Sequence, residues 1–120
     1  MAYSPEDFQK RTKSFAIRVI RLVRSLPQGS AANVIGKQLL RSGTSVGANY
    51  RAACRARSSK EFRSKLGIVE EEADESAYWI ELLIETELVR RELVEDLLKE
   101  ANEIAAMVVS SITTSRQKNQ

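Results

Sequence analysis

The chain has 120 residues, of which 42% are hydrophobic, and its net charge is +3. This length and apolar content exclude a chain that is disordered throughout and fit a single domain with one core, spanning residues 1–120. A lone cysteine excludes an internal disulfide, and no apolar run approaches the roughly 20 residues that span a bilayer. Because the polar, acidic N-terminus also lacks the apolar core of a signal peptide, we expect a cytoplasmic protein with no membrane partner.

The first helix is predicted from the residues that begin and end it. Ser4 suits the N-cap, Pro5 suits the first helical position, and two acidic residues follow, where the helix dipole favours negative charge. Pro27 ends the segment. Apolar or small side chains recur every three or four residues between these points and predict one buried stripe: Phe8, Thr12, Phe15, Val19, Leu22 and Leu26.

The second segment, from Ser30 to about Arg57, contains a stretch that looks like a loop, SGTSVG. The three glycines of the whole segment each cost about 1 kcal/mol relative to alanine in a helix. Helical spacing nevertheless continues through the stretch and predicts a helix. The stripe consists of Ile35, Leu39, Ser42, Val46, Asn49 and Ala53. Small residues within it would let another helix approach closely.

Two further helices complete the prediction. Ser58 and Glu61 form a capping box, followed by a seam of Phe62, Leu66, Val69, Ala73, Ser76, Ile80 and Leu83. The pattern breaks between Leu88 and Arg91 without Gly or Pro. A fourth seam consists of Leu97, Ala101, Ile104, Val108 and Ile112, and we expect the polar residues 113–120 to fray. Four seams with short connections predict an all-α, antiparallel up-down-up-down four-helix bundle.

Several apolar residues lie off these seams. They indicate a second buried surface and hence a homo-oligomer, because Tyr and Trp are enriched at protein contacts. The alternative is that the seams are simply wide. The candidate interface residues are Ile17, Ile20, Leu40, Tyr50, Tyr78, Trp79 and Leu82.

The sequence lacks common components of catalytic and metal sites. The chain has no histidine, which removes the commonest general base and zinc ligand, and Cys54 alone cannot build a thiolate metal site. The acidic run at residues 70–75 falls mostly outside the seam, which indicates a solvated or salt-bridging face. We therefore expect no enzyme activity, no metal and no cofactor.

Charge is distributed unevenly along the chain. Residues 1–65 carry 14 Lys/Arg against 3 Asp/Glu, a net +11, whereas residues 66–120 carry 5 against 13, a net −8. The basic half can contact phosphate, or it can pair with the chain's own acidic helix; both readings stay open. The candidate nucleic-acid-binding residues are Arg18, Arg41, Arg51, Arg55, Arg57, Arg63 and Lys65.

One long stretch carries a family resemblance. Residues 39–83 read LLRSGTSVGANYRAACRARSSKEFRSKLGIVEEEADESAYWIELL. This stretch resembles the bacterial four-helix-bundle family of proteins encoded in intervening sequences of large-subunit ribosomal RNA genes. It is also similar to the accessory variability determinant of diversity-generating retroelements. The matching motif residues are Arg41, Ser45, Asn49 and Phe62. Many relatives continue after the Asn with x-x-Glu-Gly, whereas this chain has Ala52 and Ala53 there.

The resemblance implies a bundle that frequently assembles into a homopentameric barrel. It also implies, from the retroelement relatives, basic surfaces that bind nucleic acid and a reverse transcriptase. Our leading hypothesis is a non-enzymatic oligomeric bundle that binds RNA or DNA. The alternative is a scaffold or accessory subunit that docks a protein partner, such as a reverse transcriptase, without contacting nucleic acid.

Overall fold

Four helices and no strand make up the computed structural model, which describes residues 3–118. In chain order they are α1 (Pro5–Ser25), α2 (Ser30–Cys54), α3 (Ser59–Glu85) and α4 (Arg91–Lys118). The predicted all-α, four-helix class is confirmed. No helix within residues 3–118 combines the length and apolar content needed to cross a membrane.

The helix starts follow the predicted caps. The Ser4 hydroxyl accepts the Asp7 N–H at 3.1 Å, and the Ser58 hydroxyl accepts the Glu61 N–H at 3.0 Å. The Glu61 carboxylate does not return the bond to Ser58, as a full capping box would, but accepts the N–H of Arg57 at 3.3 Å. Each cap still satisfies a backbone donor that the helix itself leaves unpaired.

Two helix ends differ from the prediction. α2 ends at Cys54 rather than near Arg57, because the N–H groups of Arg55 and Ala56 turn back onto carbonyls three residues earlier, at 3.1 and 3.0 Å. α4 continues to Lys118, so residues 113–118 are helical where we expected fraying. Arg63 donates to the Ser115 hydroxyl at 3.3 Å and ties this last stretch to α3. Residues 119–120, the end of the predicted tail, lie outside the described residues.

The turn between α3 and α4 forms without a Gly or Pro. Glu87 adopts a left-handed conformation, with φ of 61°. The N–H groups of Leu88 and Val89 both bond to the Leu83 carbonyl, at 3.0 and 3.2 Å. Backbone hydrogen bonds thus end α3 without a glycine, at the cost of one residue in an unfavourable region.

The core runs the length of the bundle and is formed mainly by side chains of the predicted seams. Phe15, Val19 and Leu39 are completely buried, as are Ile80 and Ile104 on the later helices. Burial of such side chains stabilises the fold by about 1.5–3 kcal/mol each relative to exposure. α1 packs on α2, α2 on α3 and α3 on α4, whereas α1 and α4 share the smallest contact.

α1 and α2 approach each other closely because glycine lies at their contact. A Cβ atom on Gly43 would lie 2.7 Å from Val19 Cγ1, and one on Gly47 would lie 3.3 Å from the Thr12 carbonyl oxygen. The glycines that weaken α2 as an isolated helix therefore serve its packing. The expectation that small residues permit close helix contact is met at these two positions.

Arg11 joins α1 to α4 across their small contact. Its guanidinium donates to both carboxylate oxygens of Glu100 at 2.7 Å and to Glu103 at 2.7 Å. The hydrogen bonds to Glu100 raise the pKa of Arg11 above its ordinary value. A forked arginine–carboxylate pair of this kind fixes orientation as well as contributing energy.

Gly43→Ala should lower the free energy of unfolding, although alanine favours helix by about 1 kcal/mol. The new methyl group would clash with Val19, which is fully buried and cannot move aside, and such overpacking costs about 1–3 kcal/mol. Gly67→Ala is the matched control, because nothing lies within 4 Å of a Cβ there, and it should stabilise. Urea unfolding of both variants measures the difference; a Gly43→Ala protein as stable as Gly67→Ala would contradict the close packing.

Candidate nucleic-acid interface

The seven predicted basic residues do not form one patch. Arg41 bonds to the Glu75 carboxylate at 3.0 Å, Arg57 lies 3.7 Å from that of Glu61, and Arg63 donates to Ser115. For Arg41 and Arg57 the internal-pairing alternative therefore applies. The other four make no ion pair among residues 3–118: Arg18, Arg51, Arg55 and Lys65.

Arg51 and Arg55 line a groove between α1 and α2 with a volume of about 570 Å³. Lys10 and Lys13 line its α1 side, and Glu6 is the one acidic residue in its wall. None of the four cations forms an ion pair with any residue between 3 and 118. Arg18 and Lys65 do not line this groove, so the structure brings together two of the seven predicted residues and adds two lysines.

Small side chains also line the groove. Its lining includes Ala16 of α1 and Thr44, Gly47 and Ala48 of α2. The Thr44 hydroxyl donates to the Leu40 carbonyl at 2.7 Å, so it bonds within its own helix. These small lining residues leave room for a ligand to lie along the groove beside the cations.

Lys10 and Lys13 were not predicted as site residues. Their i,i+3 spacing shows that they are neighbours on α1, but it does not show which helix they face. The sequence does contain a signal that points to the pairing: the small residues Gly43 and Gly47 mark the side of α2 that another helix approaches. Arg51 flanks that side of α2. A second helix that packs there can therefore place its own cations beside Arg51 in one groove.

The family-motif residues form a polar ladder on the side of α2 near α3. The Ser45 hydroxyl donates to the Arg41 carbonyl at 2.6 Å, and the Asn49 side-chain amide donates to the Ser45 carbonyl at 2.9 Å. Arg41 then reaches α3 through Glu75, whereas Phe62 packs against the core. In this chain the motif residues therefore make contacts within α2 and between α2 and α3.

Glu72, next to that ladder, has a buried carboxylate oxygen without a hydrogen-bond partner among the described residues. Burial raises the pKa of Glu72, the neighbouring Glu75 raises it further, and Arg41 acts in the opposite direction. Glu75 is engaged by Arg41 and by the Trp79 indole N–H at 3.4 Å. Within residues 3–118 no three His, Cys, Asp or Glu side chains are arranged to hold a metal ion.

The candidate interface residues divide by exposure. Ile17, Leu40 and Tyr78 are 41%, 37% and 53% exposed, while Ile20, Trp79 and Leu82 are half-buried. Tyr50 was wrongly predicted, because it is completely buried and packs edge-on against Phe8 with ring centroids 4.6 Å apart. At that position the seam of α2 is wide, which is the alternative that the sequence left open.

Fold and groove together define a small all-α bundle protein with an unpaired basic groove between its first two helices. The family model described as 23S rRNA-intervening sequence protein matches residues 6–110, so the chain belongs to that family. The predicted resemblance to these proteins is confirmed; the likeness to the retroelement determinant stays a prediction.

A solved structure shares both fold and sequence with the chain. It is a protein of unknown function of the S23 ribosomal protein family from Bacteroides thetaiotaomicron, 39% identical, with a TM-score of 0.84. The match covers 91% of this chain and 97% of that one. No curated protein matches the chain.

Glu72→Gln should stabilise the protein at neutral pH and not at acid pH. Since the folded chain holds the pKa of Glu72 above its ordinary 4.5, the folded state binds more protons there than the unfolded state. The free energy of unfolding therefore falls as pH rises above 4.5 through the raised pKa. Urea unfolding across this range should show the variant's advantage appear as pH rises. Glu71→Gln, on the exposed neighbour, is the control; an advantage independent of pH would contradict the assignment.

Proposed function

We propose that the chain is a non-enzymatic, homo-oligomeric bundle that binds RNA or DNA through the groove between α1 and α2. The observation that carries this proposal is the set of four groove cations, Lys10, Lys13, Arg51 and Arg55, with no ion pair among residues 3–118. Arg11 and Arg41, by contrast, pair with carboxylates of other helices.

Phosphate is the ligand chemistry that suits these cations. Arginine presents a planar fork of donors to phosphate oxygens, and lysine contributes a mobile point charge. Such contacts follow the backbone of a nucleic acid and do not read its sequence. A structured RNA is a suitable first ligand to test, because backbone contacts of this kind require no particular sequence.

Arg51→Glu combined with Arg55→Glu should weaken RNA binding by about tenfold or more at low salt, because two phosphate contacts become repulsive. The slope of log affinity against log salt should fall by about 2 for the two lost contacts. Fluorescence anisotropy with a labelled structured RNA, titrated at several salt concentrations, measures both quantities.

Arg91→Glu combined with Lys99→Glu is the matched control. It makes the same change in net charge, but both residues lie on α4 and outside the groove. If both double variants lose the same affinity, the binding depends on overall charge, and the proposal that the groove binds RNA is refuted. Absence of binding by the unchanged protein at low salt would favour the alternative, a scaffold that docks a protein partner. The exposed Tyr78, whose ring meets that of Trp79 at 5.0 Å, would be its anchor.

We further propose an up-down-up-down helix order and assembly into a ring, with five copies as the family resemblance implies. Short connections and the contact of Tyr3 near the start of α1 with Ser111 near the end of α4 support the helix order. The exposed Ile17 and Leu40 on α1 and α2 support self-association. Light scattering should give a mass about five times the 13.5 kDa of one chain; a monomer at high concentration would contradict the ring.

A further inference from the structure

The groove between α1 and α2 offers positive charge but no surface on which a nucleic-acid base could stack. Its cations are Lys10 and Lys13 on α1 and Arg51 and Arg55 on α2. The rest of its lining is small or polar, and no aromatic side chain among residues 3–118 lines it. This composition bears on which form of nucleic acid the groove can bind.

The aromatic side chains of α1 and α2 lie in the core and not beside the groove. They are Phe8 and Phe15 of α1 and Tyr50 of α2, and each is completely buried. All three belong to the hydrophobic core cluster, so a change of rotamer at the surface brings none of these rings into the groove. The exposed Tyr78 belongs to α3 and does not line the groove.

The four cations are spread along the groove and occupy both of its walls. Thr12 of α1 meets Gly47 of α2, so Lys13, the residue after Thr12, lies near the level of Gly47. Arg55 lies eight residues beyond Gly47, which corresponds to about 12 Å along α2 at a rise of 1.5 Å per residue. Cations spread over this length can contact several successive phosphates of one strand, whereas a single small anion would leave most of them without a partner.

Single strands and double helices need different contacts from a protein. A single strand is flexible, so binding must order it, and proteins that bind single strands offset this cost by stacking the bases on aromatic rings. A double helix already stacks its bases on one another, holds its phosphates in order and carries the higher charge density. Phosphate contacts without aromatic rings therefore favour the double helix.

We propose that the α1–α2 groove binds the sugar–phosphate backbone of a double helix, of RNA or DNA, in preference to a single strand. This inference rests on the proposed function and adds to it the form of the nucleic acid. The groove then recognises base pairing through the ordered backbone that pairing produces, without reading the base sequence.

Fluorescence anisotropy of the full chain with labelled probes of equal length, at one low salt concentration, tests the preference. The DNA probes are an oligo(dA)·oligo(dT) duplex and oligo(dT) alone, and the RNA probes are an oligo(A)·oligo(U) duplex and oligo(U) alone. The duplex should bind about tenfold more tightly than the single strand, because only the single strand must be ordered. A preference for the duplex in either arm supports the proposal, and the tighter duplex identifies the nucleic acid.

Ala48→Tyr tests whether the missing aromatic ring sets this preference. Ala48 is exposed and lines the groove, so the variant adds a stacking surface there without disturbing the core. Its affinity for the single strands should rise about fivefold or more, as expected for one stacked base, while its affinity for the duplexes should not rise. Ala31→Tyr is the matched control, because it adds the same ring at an exposed position of α2 outside the groove. It should change neither affinity.

The results separate this inference from the proposed function. A duplex offers two strands, so a preference of about twofold or less in both arms would overturn the inference. An equal gain of affinity for duplex and single strand in Ala48→Tyr would overturn it as well. In both cases the protein still binds nucleic acid, and the proposed function stands. Absence of binding to every probe would instead refute the proposed function, and this inference with it.

Discussion

The close approach of α1 and α2 at Gly43 and Gly47 is the constraint on which the candidate site depends. These glycines let Val19 and Thr12 of α1 pack directly against the backbone of α2. With larger residues at those positions the helices would separate and the groove would widen. The groove that carries cations of both helices thus depends on a helix contact that has no room for a side chain.

The basic residues of the chain serve two purposes. Arg11 and Arg41 reach across helix contacts to carboxylates of α4 and α3, so these cations hold the bundle together. Such pairs are worth most when geometry is forked and partly buried, as it is for Arg11 and Glu100. Lys10, Lys13, Arg51 and Arg55 have no such partner among residues 3–118. Internal pairing therefore accounts for Arg11 and Arg41, and the proposed phosphate contact concerns the four cations that remain unpaired.

Local signals predicted the helices well and the surfaces less well. Ser4 and Ser58 act as caps, because an N-cap is decided by a few neighbouring residues. Tyr50 shows the limit: it lies next to the predicted seam of α2, and its burial depends on Phe8 from another helix. The groove required the same kind of information, since Lys10 and Arg51 are about 40 positions apart in the chain and meet only through tertiary packing. The left-handed Glu87 that follows α3 had no signature in residue type either.

The central claim is that the groove between α1 and α2 is the surface that contacts nucleic acid. Ultraviolet crosslinking of the protein to structured RNA, followed by mass spectrometry of the crosslinked peptides, tests it most directly. Crosslinks should concentrate in the peptides that carry the groove, from Glu6 to Ala16 and from Thr44 to Arg55. Crosslinks concentrated on α4, with none in these two segments, would contradict the account.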